Sequence, residues 1–152
     1  MSETALGRQA HGLPLIGTLR RDVTWGDCDP AGIIYYPTYF RWIDAGTWNL
    51  FFAAGYTPAS LRAEYPGMDM PAASSSMEFR FPPTFGDKVE VRSHVGHWGG
   101  RSFKVLHEVV RADGKLLANG RETRVWVRNT PGEGLRSHAI PEALKRRFML
   151  PG

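Results

Sequence analysis

Two hydrophobic periods alternate along the chain, and each change of period marks a new element. Leu15, Leu19, Val23 and Trp25 fall among Thr18, Arg20, Asp22 and Thr24, the alternation of a half-buried strand. From Pro37 to about Ala54 the period becomes helical, with Phe40, Ile43, Thr47, Leu50, Phe51 and Ala54 on one side. Trp42, Ala45, Trp48 and Phe52 make the other side apolar too, so the pattern predicts a long helix buried all round and ended by Gly55. Thr57-Pro58 reads as an N-cap and first residue of a short helix to Tyr65, stopped by Pro66-Gly67.

The period then returns to two. Met77, Phe79 and Phe81 alternate with Ser76, Glu78 and Arg80 until Pro82-Pro83, and Val89, Val91, Ser93 and Val95 mark a strand from about Lys88 to Trp98. Gly99-Gly100 and Asp113-Gly114 are hairpin signals. They bracket a strand beginning with Phe103, Val105 and His107, and the second leads into a strand from about Lys115 to Arg128. Asn129 to Ser137 reads as a Gly/Pro loop, and Pro141 to Phe148 as a short terminal helix. One strand, a long helix and four strands joined largely by hairpins predict an α+β domain: a five-stranded antiparallel sheet wrapped around the helix. Residues 1–14 read as a flexible arm and 15–150 as a single domain.

Composition narrows the picture little. A hydrophobic content of 42% and a charged content of 22% are ordinary for a globular domain with a real core. The polar start lacks the apolar run of a secretory signal, and nothing approaches the roughly 18 apolar residues of a membrane span. The single cysteine, Cys28, excludes an internal disulfide and fits a reducing compartment, so the expected location is the cytoplasm. The net charge of +4 is dispersed apart from Lys145-Arg146-Arg147. No nucleic-acid motif accompanies it, and a modest positive field equally suits a phosphorylated small molecule. Neither nucleic acid nor membrane is expected as a partner.

The chemistry concentrates in Trp25 to Trp42, W-G-D-C-D-P-A-G-I-I-Y-Y-P-T-Y-F-R-W. Asp29 stands just before a helix N-terminus. It can act as base or nucleophile while the free N–H groups of the first turn hold a developing negative charge. The plain alternative is a loop aspartate that caps a turn, as Asp-Pro sequences do. Asp27 reads as a residue that orders the loop. Two neighbouring carboxylates disfavour a thiolate at Cys28. His94 and His97 are an odd number apart on a predicted strand, which places them on opposite faces and argues against a metal site. His107 and His138 read as surface or internally satisfied residues. Ser74-Ser75-Ser76 lacks a nucleophile elbow, and no phosphate-binding loop occurs.

This stretch resembles the active-site segment of the hotdog-fold thioesterases, the 4-hydroxybenzoyl-CoA thioesterase family in particular. The likeness runs through Gly26-Asp27-Cys28-Asp29-Pro30-Ala31-Gly32-Ile33, Tyr35-Tyr36-Pro37 and Phe40 to Ala45. It implies a hotdog fold, dimers whose sheets join, and tetramers with active sites between subunits. It also implies hydrolysis of an acyl-CoA thioester, an aromatic one of the 4-hydroxybenzoyl kind, with coenzyme A as part of the substrate and no separate cofactor.

By the same resemblance Asp29 is nucleophile or general base, and the Tyr36 backbone N–H polarises the thioester carbonyl. Asp44 accepts a hydrogen bond from a ring hydroxyl, and Arg101 helps to hold the nucleotide phosphates. Gly99 and Gly100 stand where the aryl-CoA enzymes carry arginines, a departure in that binding mode. Read without the likeness, Asp44 is a buried carboxylate with a core partner such as a tyrosine hydroxyl or indole N–H, and Arg101 is an ordinary hairpin residue. A short-chain or phenylacetyl-type thioesterase is one alternative. The other is a non-catalytic acyl-CoA-binding hotdog module, which has no need of the Asp29 carboxylate.

Overall fold

The computed structural model describes residues 12–150. Its central element is helix α1, Pro37–Ala53. Pro37 sits in the first turn, where a missing N–H costs nothing. At the far end Gly55 adopts φ +90°, and Tyr56 N–H reaches back to the Phe51 carbonyl at 2.9 Å, a glycine-closed helix end. Helix α2, Pro58–Glu64, starts on a reciprocal cap between Thr57 and Ser60, as the sequence predicts.

Five antiparallel strands form the main sheet: β1 (Gly17–Asp22), β3 (Ala72–Phe79), β4 (Lys88–Trp98), β5 (Ser102–Arg111) and β6 (Leu116–Val125). Their order is β1-β4-β5-β6-β3. A smaller sheet joins β2 (Met68–Asp69), β7 (Val127–Thr130) and β8 (Gly134–Ser137), and α3 (Glu142–Arg146) closes the chain.

The main sheet covers one face of α1. Val91, Val95, Phe103, Val105, Val109 and Ala118 point inward at alternate positions and are buried. Beneath the C-terminal half of α1, Phe51 meets the Phe148 ring edge-on, 4.7 Å between centroids, and Leu50, Trp126 and Leu144 complete that cluster. Tyr39, Trp42, Val91 and Leu117 pack under the N-terminal half.

Several expectations are corrected. The helix is not buried all round: Arg41, Asp44 and Phe52 are exposed and Phe40 and Trp48 half-buried, because one sheet can cover only one side of a helix. The β3 alternation buries its apolar residues only in part: Met77 is half-buried against the core, while Phe79, further along this edge strand, is 54% exposed. The strand expected to run to Arg128 breaks at Trp126, whose N–H turns away to the Arg101 carbonyl at 2.9 Å while its ring is buried. The expected loop 129–137 is mostly the β7–β8 hairpin, with Gly132 and Gly134 at positive φ in its turn.

The first strand is shorter than expected, leaving Trp25 exposed in a 3-10 turn. Leu13 and Pro14, placed in the arm, are tied to the C-terminal segment through Leu150 N–H to the Leu13 carbonyl and a Pro14–Met149 bridge. The rest of that arm, 1–11, lies outside the described residues.

Helix and sheet approach closely at Gly46. A Cβ there would stand 2.8 Å from Ser93 Oγ, 3.0 Å from Val91 Cγ1 and 3.3 Å from His107 Nδ1. Ser93 and His107 are buried and bonded to each other, so neither can yield cheaply. Gly46→Ala gains helix propensity of about 1 kcal/mol, yet overpacking of about 1–3 kcal/mol outweighs it. We expect a net loss of up to roughly 2 kcal/mol in denaturant unfolding, the reverse of the usual Gly-to-Ala gain in a helix.

Candidate active site

The loop between β1 and α1 is built by its own side chains. Asp27 Oδ2 accepts from Thr24 N–H at 2.9 Å and from the Thr24 hydroxyl at 2.8 Å. The Asp27 carbonyl then accepts Tyr35 N–H at 2.7 Å, which draws the two ends of the loop together. Asp27 is the loop organiser the sequence suggests. Within the loop, Asp29 to Ile33 closes a tight turn: Gly32 N–H bonds the Asp29 carbonyl and Asp29 N–H the Ile33 carbonyl, both at 2.9 Å. Gly32 has φ +79°, a conformation other residues adopt only with strain.

Asp29 itself is half-buried, and its Oδ1 accepts Ala31 N–H at 2.8 Å. The turn-capping role is therefore filled by one oxygen. Oδ2 has no hydrogen-bond partner among the described residues. Cys28 is half-buried, with Sγ 3.6 Å from the Thr24 carbonyl.

Tyr36 precedes the first turn of α1. Thr38 N–H bonds the Tyr35 carbonyl at 2.9 Å and Tyr39 N–H the Tyr36 carbonyl at 3.1 Å. The Tyr36 N–H has no partner among the described residues. Ile33, Ile34, Tyr36, Tyr39, Phe79 and Pro82, with Arg80 as the one charged residue, line a largely apolar groove of about 300 Å³ beside it. Tyr39 packs on Phe79 at 5.0 Å, and burial pushes its hydroxyl pKa up to about 12, so it is a neutral wall of this groove. A free donor at the positive end of a helix beside an apolar groove suits a carbonyl on an apolar acyl group.

Asp44 departs from the buried carboxylate expected of it. Its side chain is 59% exposed, and its partner is neither tyrosine nor indole but Arg124, whose Nη2 lies 2.6 Å from Asp44 Oδ1. Arg124 is buried on β6 and leads inward. Nη2 also donates to Glu122 Oε1 at 2.8 Å, and Glu122 Oε2 accepts from the Thr47 hydroxyl and lies 3.1 Å from His107 Nε2. His107 Nδ1 in turn lies 2.7 Å from Ser93 Oγ. No local motif announces this array. Its signal was Gly120, Glu122 and Arg124 at alternate positions of one strand: charged residues on a sheet's inner face require internal partners.

The histidines also differ from expectation. A bulge between Val95 and His97 shifts the register, so His94 pairs with Leu106 and His97 with Lys104, two outward positions. His94 and His97 therefore share the outer face. Among the described residues no three metal-ligating side chains converge. Arg101 is exposed and its Nη1 donates to Ser137 at 3.2 Å, both to the carbonyl and to the hydroxyl, so it is bound to β8 rather than free at the turn.

Within one chain the candidate residues form two groups along edge strand β3. Tyr36 lies near its Phe79 end, where both line one groove, and Asp29 stands seven residues earlier on the same loop. Asp44 lies eight residues beyond Tyr36 along α1, roughly 12 Å of helix axis, near the end where Ala72 pairs with Arg124. Arg101 belongs to neither group.

The thioesterase-like superfamily model matches residues 23–148. The 4-hydroxybenzoyl-CoA thioesterase of Pseudomonas sp. (strain CBS-3) is 32% identical over 129 residues, covering 82% of this chain and 91% of that protein. Its solved structure superposes with a TM-score of 0.79 at 30% identity, over 88% of this chain and 99% of that one. A gentisyl-coenzyme A thioesterase structure gives a TM-score of 0.73 at 26% identity, over 84% and 98%. The α+β hotdog fold expected from the sequence is the fold these structures share with this chain.

The buried array makes stability depend on acid. Burial opposes the charge of Glu122, but hydrogen bonds from His107 and Thr47 and the charge of Arg124 outweigh it and hold its pKa below the ordinary glutamate value. A depressed pKa contributes stability that is fully present above the unfolded-state value, about 4.3, and is lost as pH falls through the folded-state value. In denaturant unfolding, Glu122→Gln should cost about 3 kcal/mol at pH 7. That difference from wild type should shrink below about pH 4. A difference that stays constant with pH would contradict the assignment.

Proposed function

The chain belongs to the thioesterase-like superfamily and is an acyl-CoA thioesterase, and we propose that its substrate is an aromatic acyl-CoA of the 4-hydroxybenzoyl kind. Water and the thioester are consumed, and the free acid and coenzyme A are released. Asp29 Oδ2 carries the chemistry, either attacking the carbonyl carbon or drawing a proton from the attacking water. On the first route the thiolate leaves and water cleaves the resulting acyl anhydride. On the second, water forms the new C–O bond directly, the C–S bond breaks, and the proton held by Asp29 passes to the departing thiolate. In both the carbonyl oxygen gains negative charge, and the Tyr36 N–H meets it. The observation that carries this reading is that one Asp29 oxygen and the Tyr36 N–H, on one self-ordered loop, have no partner among the described residues, and that the N–H lies beside a largely apolar groove.

The edge strand bears on assembly. Among the described residues β3 pairs on one side only, and Phe79 and the following Phe81 are exposed, a surface that invites a second strand. Antiparallel pairing of two β3 strands about a two-fold axis sets the Phe79 end of one copy against the Ala72 end of the other. Asp29 and Tyr36 of one protomer would then share a site with Asp44 of the partner subunit, where it accepts the ring hydroxyl. The assembly we propose is a homodimer or a homotetramer built from it. The substrate's phosphates would meet Arg101 at the β4–β5 turn.

Thiol release from 4-hydroxybenzoyl-, benzoyl-, phenylacetyl- and butyryl-CoA tests the reading. The hydroxybenzoyl ester should turn over fastest, and Asp29→Asn should lower kcat by about 10²–10⁴-fold or more while ester binding persists. Tyr36→Phe, which keeps the backbone donor, should lose far less. Clean binding of these esters without turnover would make the protein a binding module instead. Light scattering should give an even multiple of the 17.0 kDa chain mass, and a monomer would remove the shared site.

A further inference from the structure

The exposed carboxylate of Asp44 is fixed from beneath by groups the proposed reaction does not use. Arg124 is only 7% exposed, and burying a guanidinium is costly unless it is paired. Glu122, 2% exposed, already supplies a counter-charge. Nη1 reaches the Met70 carbonyl at 3.3 Å, and Nε is buried without a partner among the described residues. Glu122 is itself anchored to α1 through Thr47 and to β5 through His107, which is held on β4 by Ser93. The guanidinium is thus positioned by four elements. Among the described residues its single link outward is the 2.6 Å contact with Asp44 Oδ1.

Resting on the proposed reaction, we propose that Arg124 is a positioning residue for substrate choice: it immobilises Asp44 so that Oδ2 faces the aryl group as a fixed hydrogen-bond acceptor, which selects acyl rings carrying a hydroxyl. An Asp side chain on an exposed helix face is otherwise free to rotate and remain hydrated. Held by Oδ1, it presents an oxygen that has no partner among the described residues. A ring with a hydroxyl supplies the missing donor. A bare ring covers the oxygen and strips its water, leaving a charged acceptor unpaired, and that asymmetry separates the two substrates. Glu122 and Thr47 act one step further back, by holding Arg124.

The test compares two ligand pairs on the full chain. One pair is 4-hydroxybenzoyl-CoA and benzoyl-CoA, read as kcat/KM. The other is their uncleavable thioether counterparts, 4-hydroxyphenacyl-CoA and phenacyl-CoA, read as Kd by calorimetry. Wild type should prefer the hydroxylated member of each pair by about 100-fold. Arg124→Met should cut that preference by about tenfold or more, chiefly in KM and Kd, and Arg124→Lys should restore part of it. Arg124→Met combined with Glu122→Gln removes both buried charges and should show the same loss if the single variant folds poorly. Asp44→Asn should also lose the preference, and adding Arg124→Met to it should change little further.

A parallel fall for both members of a pair would overturn the proposal, because it marks a purely structural role. So would additive losses in the Asp44 and Arg124 double variant. A wild type that binds both thioethers equally sinks it as well. A wild type that prefers the hydroxylated thioether but cleaves neither ester sinks the proposed reaction while supporting this recognition.

Discussion

The molecule depends on how closely α1 can lie on its sheet at Gly46. With no side chain there, the helix backbone comes within reach of Ser93, Val91 and His107. That approach brings Thr47, one residue on, to the Glu122 carboxylate, and lets Asp44, two residues back, meet Arg124. A bulkier residue would lift the helix and separate these groups together. The apolar clusters toward either end of the helix then seal a polar array that could not survive partly solvated.

The charges in that array fall in an order that matters. One buried arginine stands between a buried glutamate and an exposed aspartate. Burial disfavours its charge, yet the hydrogen bond to Asp44 and the charge of Glu122 raise its pKa above the usual arginine value, so it remains a cation. A surface ion pair would ordinarily contribute little. Here one partner is rigid and dry, so the pair constrains the direction of the other rather than adding stability.

Edge strand β3 places the chemistry. The helix N-terminus with the Tyr36 N–H lies by one end and the Asp44–Arg124 pair by the other, and among the described residues neither that N–H nor the outer side of the strand has a partner. An edge of this kind is normally covered or blunted. Leaving it open puts the two halves of the proposed site beside a surface suited to a second copy.

Much of this was legible in the residues. Pro37 and Gly55 bound the helix, Asp113-Gly114 sets a hairpin, and Thr57-Pro58 starts a short helix. These signals are local: each acts through the φ angle or capping group of one residue. The loop from Asp27 to Tyr36 was legible too, because its hydrogen bonds are made within a dozen residues of one another.

What the sequence did not determine are the effects that depend on which strand becomes a neighbour. Period two in β3 predicts a buried face, but strand order made it an edge. An apolar helix predicts cover all round, but a single sheet reaches one side. Asp44, Glu122 and Arg124 are separated by up to 80 residues, and no local pattern states that they meet. Their pairing was decided by tertiary structure alone, because a buried charge takes whichever partner the packing brings within hydrogen-bond reach.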